Sequence, residues 1–435
     1  MSRIVPLFFL LAATVFETAH AEEDSRHVIS LNQAMVMVLE TDERIDIQRH
    51  EADIAGMEIN RAWTIISPRL EATGAYERPE EAIQFDGRDV IPEETWRATF
   101  TARQPIFDGR VMPARRLGIA LESSEDHELA NTIRTALYEV VQVYYEALRA
   151  QKQVSISEQT LDLASAEVAR AQARFDTGEI RRTEVLRTEV DESIARRSLI
   201  TARNEYQLAL SDLSRRIGMP ADTLFAVKKP DIVPHAETHD LKALYSLALD
   251  YRNDLASARA RKEAAYEERT VLKREDWPTL SVEYNHRFID PDSFTTRNNF
   301  WEVAAVARME FWDGGGRRIS RVQQERRMDQ AALRIRELER SIEIEIKRTL
   351  LELETLEENL ETIRKEVDLA EENYRTLSEQ AGVGLATSLD VSTALNALDR
   401  ARTELAQQQF DLEVAKYNLE MAIGRFANEL ILGEE

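Results

Sequence analysis

The chain carries one pattern twice, and that duplication limits it to architectures built from two copies of a single unit. Ser30-Leu31 and Asp240-Leu241 each open a helical stretch, with Ser30 and Asp240 as expected N-caps. At the same shift of 210 residues, Leu39 falls on Leu249, Ile45 on Leu255, Pro68 on Pro278 and Leu70 on Leu280. Ile106-Phe107-Asp108-Gly109 meets Phe311-Trp312-Asp313-Gly314 at a shift of 205. Gly178 meets Gly384, Glu184-Val185 meets Asp390-Val391, and Ile217-Gly218 meets Ile423-Gly424, all at 206. The shift changes only between elements, where loops absorb length. The expected division is a first repeat over 22–219, a linking segment over 220–239, a second repeat over 240–426 and a tail over 427–435.

Each half reads helix, strand, loop, strand, long helix, turn, helix. Only 14 glycines and 11 prolines interrupt 435 residues, which leaves Ile119–Thr177 and Arg317–Ala381 free of both. At about 1.5 Å per residue such helices run to roughly 90–100 Å. Leu161, Ala164, Val168, Ala171 and Phe175 alternate spacings of three and four, as do Leu360, Ile363, Val367, Ala370, Tyr374 and Leu377. Leu398, Ala401, Leu405, Leu412, Ala415, Leu419 and Ala422 continue the theme. These seams predict antiparallel coiled-coil pairs with solvated outer faces.

Four segments alternate instead with period two. They lie at about 68–78, 94–107, 278–288 and 299–311. Leu70, Ala72, Gly74 and Tyr76 share one face, as do Trp96, Ala98, Phe100 and Ala102. Leu280, Val282, Tyr284 and Phe288 form the third apolar row, and Trp301, Val303, Ala305, Ala307, Met309 and Phe311 the fourth. The opposite faces are mostly polar, although Ala304 and Val306 break the rule. Each segment has about the ten residues that a tilted membrane strand needs. Four strands cannot close a barrel, and lipid forbids open sheet edges, so several copies must share one. A soluble pair of hairpins is the competing reading, but a hairpin at the end of a long helix has little core to cover.

Arg3, an apolar run from Ile4 to Phe16 and Ala19-His20-Ala21 read as an export signal over residues 1–21. Its 13 apolar residues are too few to span a bilayer as a helix. No later apolar stretch approaches 20 residues. The absence of cysteine removes disulfides and a lipid-anchored cysteine. With 79 acids against 56 bases, the net charge of -23 argues against nucleic acid as a partner.

On these residues the chain resembles the TolC-like outer-membrane efflux protein family, from Ser30 to about Phe426. The carrying features are the duplication, the Pro-x-Leu openings at Pro68 and Pro278, and the helix starts at Phe107-Asp108-Gly109 and Trp312-Asp313-Gly314-Gly315-Gly316. The segment Val383-Gly384-Leu385-Ala386-Thr387-Ser388-Leu389-Asp390-Val391 matches best. The resemblance implies a mainly α chain with a membrane β-barrel: a homotrimer forming a shared twelve-stranded β-barrel in the outer membrane and a twelve-helix periplasmic α-barrel. It implies a passive exit duct, with a periplasmic adaptor protein, an inner-membrane transporter and outer-membrane lipid as partners. It also places the adaptor contact at the two helix turns, at Gly178, Glu179, Val383, Gly384, Leu385, Ala386 and Thr387. Glycine suits such reversals in any case, since it tolerates positive φ.

By the same resemblance the pore constriction is expected at Asp390, with Glu184 as its first-half counterpart. Thr393 stands where the family's best-known pore has a second acid. Three symmetric copies of Asp390 would form a carboxylate ring, which favours cations and raises carboxylate pKa values by crowding. The plainer reading is a first-turn acid that complements the helix dipole.

No enzyme and no cofactor are expected. His235 and His239, with Glu237 and Asp240 nearby, invite a metal reading, but they follow Pro234 outside any helix. Asp313-Gly314-Gly315-Gly316 lacks the Lys-Ser/Thr of a phosphate loop and reads as a tight strand-to-helix corner. The same duct serving type I protein secretion is an alternative that the residues leave open, and a periplasmic coiled-coil tether without a pore is a remoter one.

Overall fold

The computed structural model describes residues 27–81, 83–85, 88–91, 93–220, 223–230, 240–290 and 299–427. The expected export signal, the His235 and His239 stretch, the loop residues 291–298 and the tail from 428 lie outside the described residues. The first half runs β1 (His27–Ile29), α1 (Leu31–Thr41), α2 (Glu43–Trp63), β2 (Arg69–Glu77), β3 (Ile83–Phe85), β4 (Arg88–Ile91), β5 (Thr95–Phe107), α3 (Val111–Asp176), α4 (Arg182–Arg216) and β6 (Phe225–Val227). The second half runs α5 (Leu241–Tyr251), α6 (Asn253–Arg274), β7 (Thr279–Asp290), β8 (Asn299–Arg308), α7 (Gly316–Gly382) and α8 (Ser388–Ala422). Two compact units result, and each draws on both halves. One comprises Met1–Thr41, Glu139–Val233 and Leu356–Val414; the other comprises Asp42–Tyr138, Pro234–Thr355 and Ala415–Glu435.

Three details correct the sequence reading. The single opening helix of each half is two helices. Asp42 adopts an extended backbone (φ -80°, ψ 109°) and its carboxylate accepts the Arg44 N–H, so α2 starts afresh. Arg252 breaks α5 from α6 with nearly the same backbone (φ -75°, ψ 117°). Helix α3 begins at Val111, just past the expected Phe107-Asp108-Gly109 start and ahead of the Gly- and Pro-free run from Ile119, because Pro113 sits in the first turn, where its missing N–H costs nothing. Gly118 continues that helix under constraint: a Cβ there would lie 2.9 Å from the Ile59 nitrogen of α2.

In the strand-bearing unit, β2, β5, β7 and β8 form one antiparallel sheet in that order. Its register gathers the four alternating rows onto a single face. Tyr76 lies opposite Trp96 and Ala72 opposite Phe100; Ala98 lies opposite Phe288 and Ala102 opposite Tyr284; Val282 lies opposite Ala305 and Tyr284 opposite Val303. His286 joins this face, stacked on Phe288 at 4.4 Å and bonded to Asn299 at 2.6 Å. The other face carries cross-strand polar pairs: Arg97 with Glu77 at 3.1 Å, Arg103 with Glu283 at 3.1 Å, and the Thr101 hydroxyl donating to Asn285 at 2.9 Å. Along β5 and β7 the polar face is the more covered, on β8 its covered positions are Phe300, Ala304 and Val306, and Trp96 (61 % exposed) and Trp301 (66 %) stand bare on the other face. A soluble sheet buries the opposite face. The expected 299–311 strand ends at Arg308, and Asp313 then accepts the Gly315 N–H (3.0 Å) and the Arg317 N–H (2.6 Å) to start α7.

In the other unit α3 pairs with α4 and α7 with α8. Glu192 accepts from Ser165 at 3.0 Å, and Gln408 donates to the Leu356 carbonyl at 3.2 Å. The expected seams are covered at Ala164, Ala171, Leu360, Val367, Tyr374, Leu398, Ala401 and Leu412. The segments flanking the first repeat add a feature that sequence reading missed: β1 and β6 pair in parallel. Their anchor is Tyr144, whose hydroxyl lies 2.8 Å from the Ile29 carbonyl and 2.7 Å from that of Lys228. Three-residue strands have no periodicity to detect.

Each return helix ends on a left-handed glycine pressed against its own repeat. Gly218 (φ +72°) abuts Thr41, and Gly424 (φ +77°) abuts Tyr251, whose carbonyl carbon a Cβ would meet at 2.8 Å. Left-handed backbone costs a non-glycine residue about 1–3 kcal/mol before any clash. Gly424→Val is therefore expected to destabilise the strand-bearing unit by more than about 2 kcal/mol, read as a lowered denaturant midpoint of helical circular dichroism.

Candidate functional site

The two helix turns are built alike. At Gly178 (φ +81°) the Glu179 N–H bonds the Arg174 carbonyl at 2.9 Å and the Gly178 N–H bonds that of Phe175 at 2.9 Å. At Gly384 (φ +81°) the Leu385 N–H bonds the Gln380 carbonyl at 2.9 Å and the Gly384 N–H bonds that of Ala381 at 3.1 Å. Both are Schellman closures, which need the left-handed residue that glycine supplies. Val383 and Leu385 project from the second turn fully in the open.

Between the turns lies a cavity of about 300 Å³, lined among others by Glu167, Arg174, Glu179, Glu184, Ser388 and Val391. Gly384, Ala386 and Thr387 also face it; Asp390 and Thr393 do not. Arg174 spans it, donating to the Ala381 carbonyl and pairing with Glu179 at 3.3 Å. Beneath is a small core of Ala164, Ala195, Tyr374, Val391, Ala394, Leu395 and Leu398.

Asp390 and Thr387 form a reciprocal capping box at the start of α8. The Asp390 carboxylate accepts the Thr387 N–H at 2.9 Å and its hydroxyl at 2.7 Å, while the Asp390 N–H reaches the Thr387 hydroxyl at 3.3 Å. These bonds, backbone first, hold the exposed carboxyl below its ordinary pKa. Asp390 thus caps the start of α8 and remains exposed. Glu184 accepts from Ser388, which ties the first-half acid to the second-half helix start. Thr393 donates back to the Leu389 carbonyl at 2.8 Å and remains exposed.

The network that sequence reading missed centres on Glu167. This α3 carboxylate accepts from Tyr374 at 3.0 Å and Ser378 at 2.8 Å, both on α7, and pairs with Arg170. Burial first, then the Glu167 charge, pushes the Tyr374 hydroxyl up to about 12. Tyr374 sits on the heptad seam and reads there as an apolar contact, so its hydroxyl gave no separate signal. Among the described residues no group of three His, Asp or Glu side chains could hold a metal ion, and no helix is long and apolar enough to cross a membrane.

Strands with a bare apolar face, carried on paired long helices, define the class: outer-membrane channels that cross lipid with strands and extend through the periplasm with helices. The family model of outer membrane efflux proteins matches residues 36–219 and 244–425, and the chain belongs to that family. The alkaline protease secretion protein AprF of Pseudomonas aeruginosa is 22 % identical over 408 residues, covering 89 % of this chain and 83 % of AprF. The outer membrane efflux protein BepC of Brucella suis is 25 % identical over 366 residues, covering 81 % of this chain and 78 % of BepC. The outer membrane protein VceC of Vibrio cholerae superposes with a TM-score of 0.76 over 91 % of this chain and 96 % of its own, at 17 % identity, a likeness of fold. As a member of the outer membrane efflux protein family, the chain is a channel protein rather than an enzyme.

Tyr374→Phe keeps the packing and deletes the bond to Glu167, worth about 1.5–3 kcal/mol for a charged partner. Faster amide exchange is expected around 374–395. The raised pKa adds a pH signature, because a group that ionises later when folded stabilises fully below its unfolded value near 10. That part is lost as pH rises from about 10 to about 12. The phenylalanine variant should lack this alkaline loosening.

Proposed function

We propose that the chain is the exit duct of a tripartite efflux system, a homotrimer whose twelve strands share one barrel and whose helices form a twelve-helix periplasmic tube. The observation that carries this reading is the four-stranded sheet, apolar on its exposed face and unpaired at β2 and β8. Strand directions alternate across β2, β5, β7 and β8, so β8 of one copy meets β2 of the next antiparallel, as ring closure requires. An inner-membrane transporter supplies the energy, and a periplasmic adaptor docks on the two turns at Gly178, Glu179 and Val383–Thr387. The exposed Val383 and Leu385 suit an apolar helical partner.

The alternative, type I protein secretion, has AprF as its support, as efflux has BepC. Which transporter co-purifies with the assembled chain separates them: a proton-driven pump favours efflux, an ATP-driven exporter secretion. The duct itself is tested by fractionation to the outer membrane and by single-channel conductance in planar bilayers; a protein without conductance would reject it.

Asp390 from three copies, with Glu184 and Thr393 nearby in sequence register, is proposed as the constriction. Capping by Thr387 pulls its pKa down in the single chain and crowding of three carboxylates opposes that, so the ring loses its cation preference as pH falls through the carboxylate range at about 4. Asp390→Asn is expected to flatten this dependence; identical profiles would exclude Asp390 from the constriction. For docking, Gly384→Trp should abolish transport with trimers intact, while Gly384→Asn, which tolerates left-handed backbone, should retain it. Transport by the tryptophan variant would remove this turn from the adaptor contact.

A further inference from the structure

The two strand-to-helix corners are counterparts at a shift of 205 residues, and the chain fills one of them itself. In the first half Trp277 stacks on Phe107 with 6.4 Å between ring centres, and the Arg274 guanidinium lies 3.7 Å over the indole. A Cβ at Gly109 would meet Trp277 at 3.1 Å, so that corner is full. In the second half Trp312 takes the place of Phe107 and stands open. Phe311 and Trp312 are 85 and 78 % exposed, and Ile319 and Val322 on the first turns of α7 are exposed as well. A Cβ on Gly314 or Gly315 would meet nothing within 4 Å. Ser67, the counterpart of Trp277 at the shift of 210, has no ring, so the repeat holds no second tryptophan for this corner.

The open corner is a groove of about 660 Å³ lined by the two aromatic rings and by Asp276, Asp313, Arg317, Arg318 and Arg321. Arg317 pairs with Asp276 at 3.2 Å and with Asp313 at 3.4 Å, and Arg321 pairs with Asp276 at 2.6 Å. Both carboxylates are thereby matched. Arg318 is exposed, and among the described residues no carboxylate pairs with it. Three guanidiniums against two carboxylates leave one positive charge. Asp313 already takes the Gly315 and Arg317 N–H groups, so the helix start has little to offer an anion and the guanidiniums are what remains.

Strands that cross lipid and helices that extend through the periplasm put this corner at the border between the two. Tryptophan is enriched at such borders, and a guanidinium binds a phosphate diester through two parallel N–H bonds. We propose that the corner is a phospholipid site, in which Arg318, with Arg321 one turn on, holds the headgroup phosphate while Phe311 and Trp312 carry the acyl chain. The one unmatched positive charge selects an anionic headgroup, such as phosphatidylglycerol, over a zwitterionic one. The aromatic rings select a lipid over free phosphate. The site is complete within one chain and rests only on the strands lying in lipid, so it stands apart from any sharing of a barrel.

Native mass spectrometry of the full chain in detergent, titrated with phosphatidylglycerol or phosphatidylethanolamine, reads the site. Phosphatidylglycerol is expected to bind about fivefold more tightly, the scale of one basic side chain against an anionic lipid. Excess inorganic phosphate should leave it bound. Arg318→Gln should remove this preference with helix content unchanged, and Trp312→Ala should weaken both lipids. Arg115→Gln removes an exposed guanidinium on the first turns of α3, beside the corner that Trp277 fills, and should bind as the unaltered chain does. An undiminished preference in the Arg318→Gln variant, or an equal loss in the Arg115→Gln variant, overturns the site. Displacement by phosphate overturns the choice of a lipid, and equal affinity for the two lipids overturns the choice of headgroup. A chain that binds phosphatidylglycerol in this way yet stays monomeric upholds the site and sinks the shared barrel; a trimer without the preference does the reverse.

Discussion

A backbone N–H or C=O in hydrocarbon has no water to turn to, and every other feature of this chain answers to that fact. Among the described residues, four strands supply each other with partners at three junctions and leave two edges open, at β2 and β8. The open edges make the single chain an incomplete object in lipid. The same solvent reverses the usual sheet: Trp96, Trp301 and Phe288 are exposed on one face, while Arg97 with Glu77 and Arg103 with Glu283 pair on the other. In the proposed shared barrel those ion pairs line the interior, and each of the four charges already has a partner of opposite sign.

Duplication solves a second problem, which is how to hold long helices at fixed ends. Each return helix stops on a left-handed glycine, at Gly218 and Gly424, and each helix reversal turns on another, at Gly178 and Gly384. The devices recur because the repeat recurs. The polar ties do not repeat. Glu167 on α3 collects Tyr374 and Ser378 from α7, and Glu184 takes Ser388 from the start of α8. These bonds join the first-half hairpin to the second-half one, so any separation of the two must break them. Asp390 serves its own helix through Thr387 and has its other side free. A proposed constriction thereby rests on a residue whose position the capping box already sets.

Much of this was legible in the residues. Alternation at Leu70–Tyr76 and Trp96–Ala102 marked strands, because period two is local and survives any context. The glycines at 178 and 384 marked turns, because only the left-handed region explains them between two heptad runs. The break at Asp42 was hidden, since a capping aspartate looks like any surface acid within a helical pattern. Its counterpart Arg252 carries no cap signature at all. The start of α3 was marked by Phe107-Asp108-Gly109, and the helix passes Pro113 and Gly118 because the first sits in its first turn and the second lets Ile59 approach closely. His286 was passed over as an apolar-face residue because Asn299, which satisfies one ring nitrogen, is found only across the sheet, while Tyr284 at the other stands two residues back on its own strand.

The sequence by itself determined the repeated unit and the helix and strand periods, since each follows from spacing along the chain. Only the tertiary structure decided which rows share a face, which edge is free, and which carboxylate holds the two hairpins together. Those depend on register and on approach between residues some 200 positions apart, such as Glu167 and Tyr374. Local pattern carries no record of such distances, because many pairings satisfy the same alternation and one alone buries the polar groups with partners.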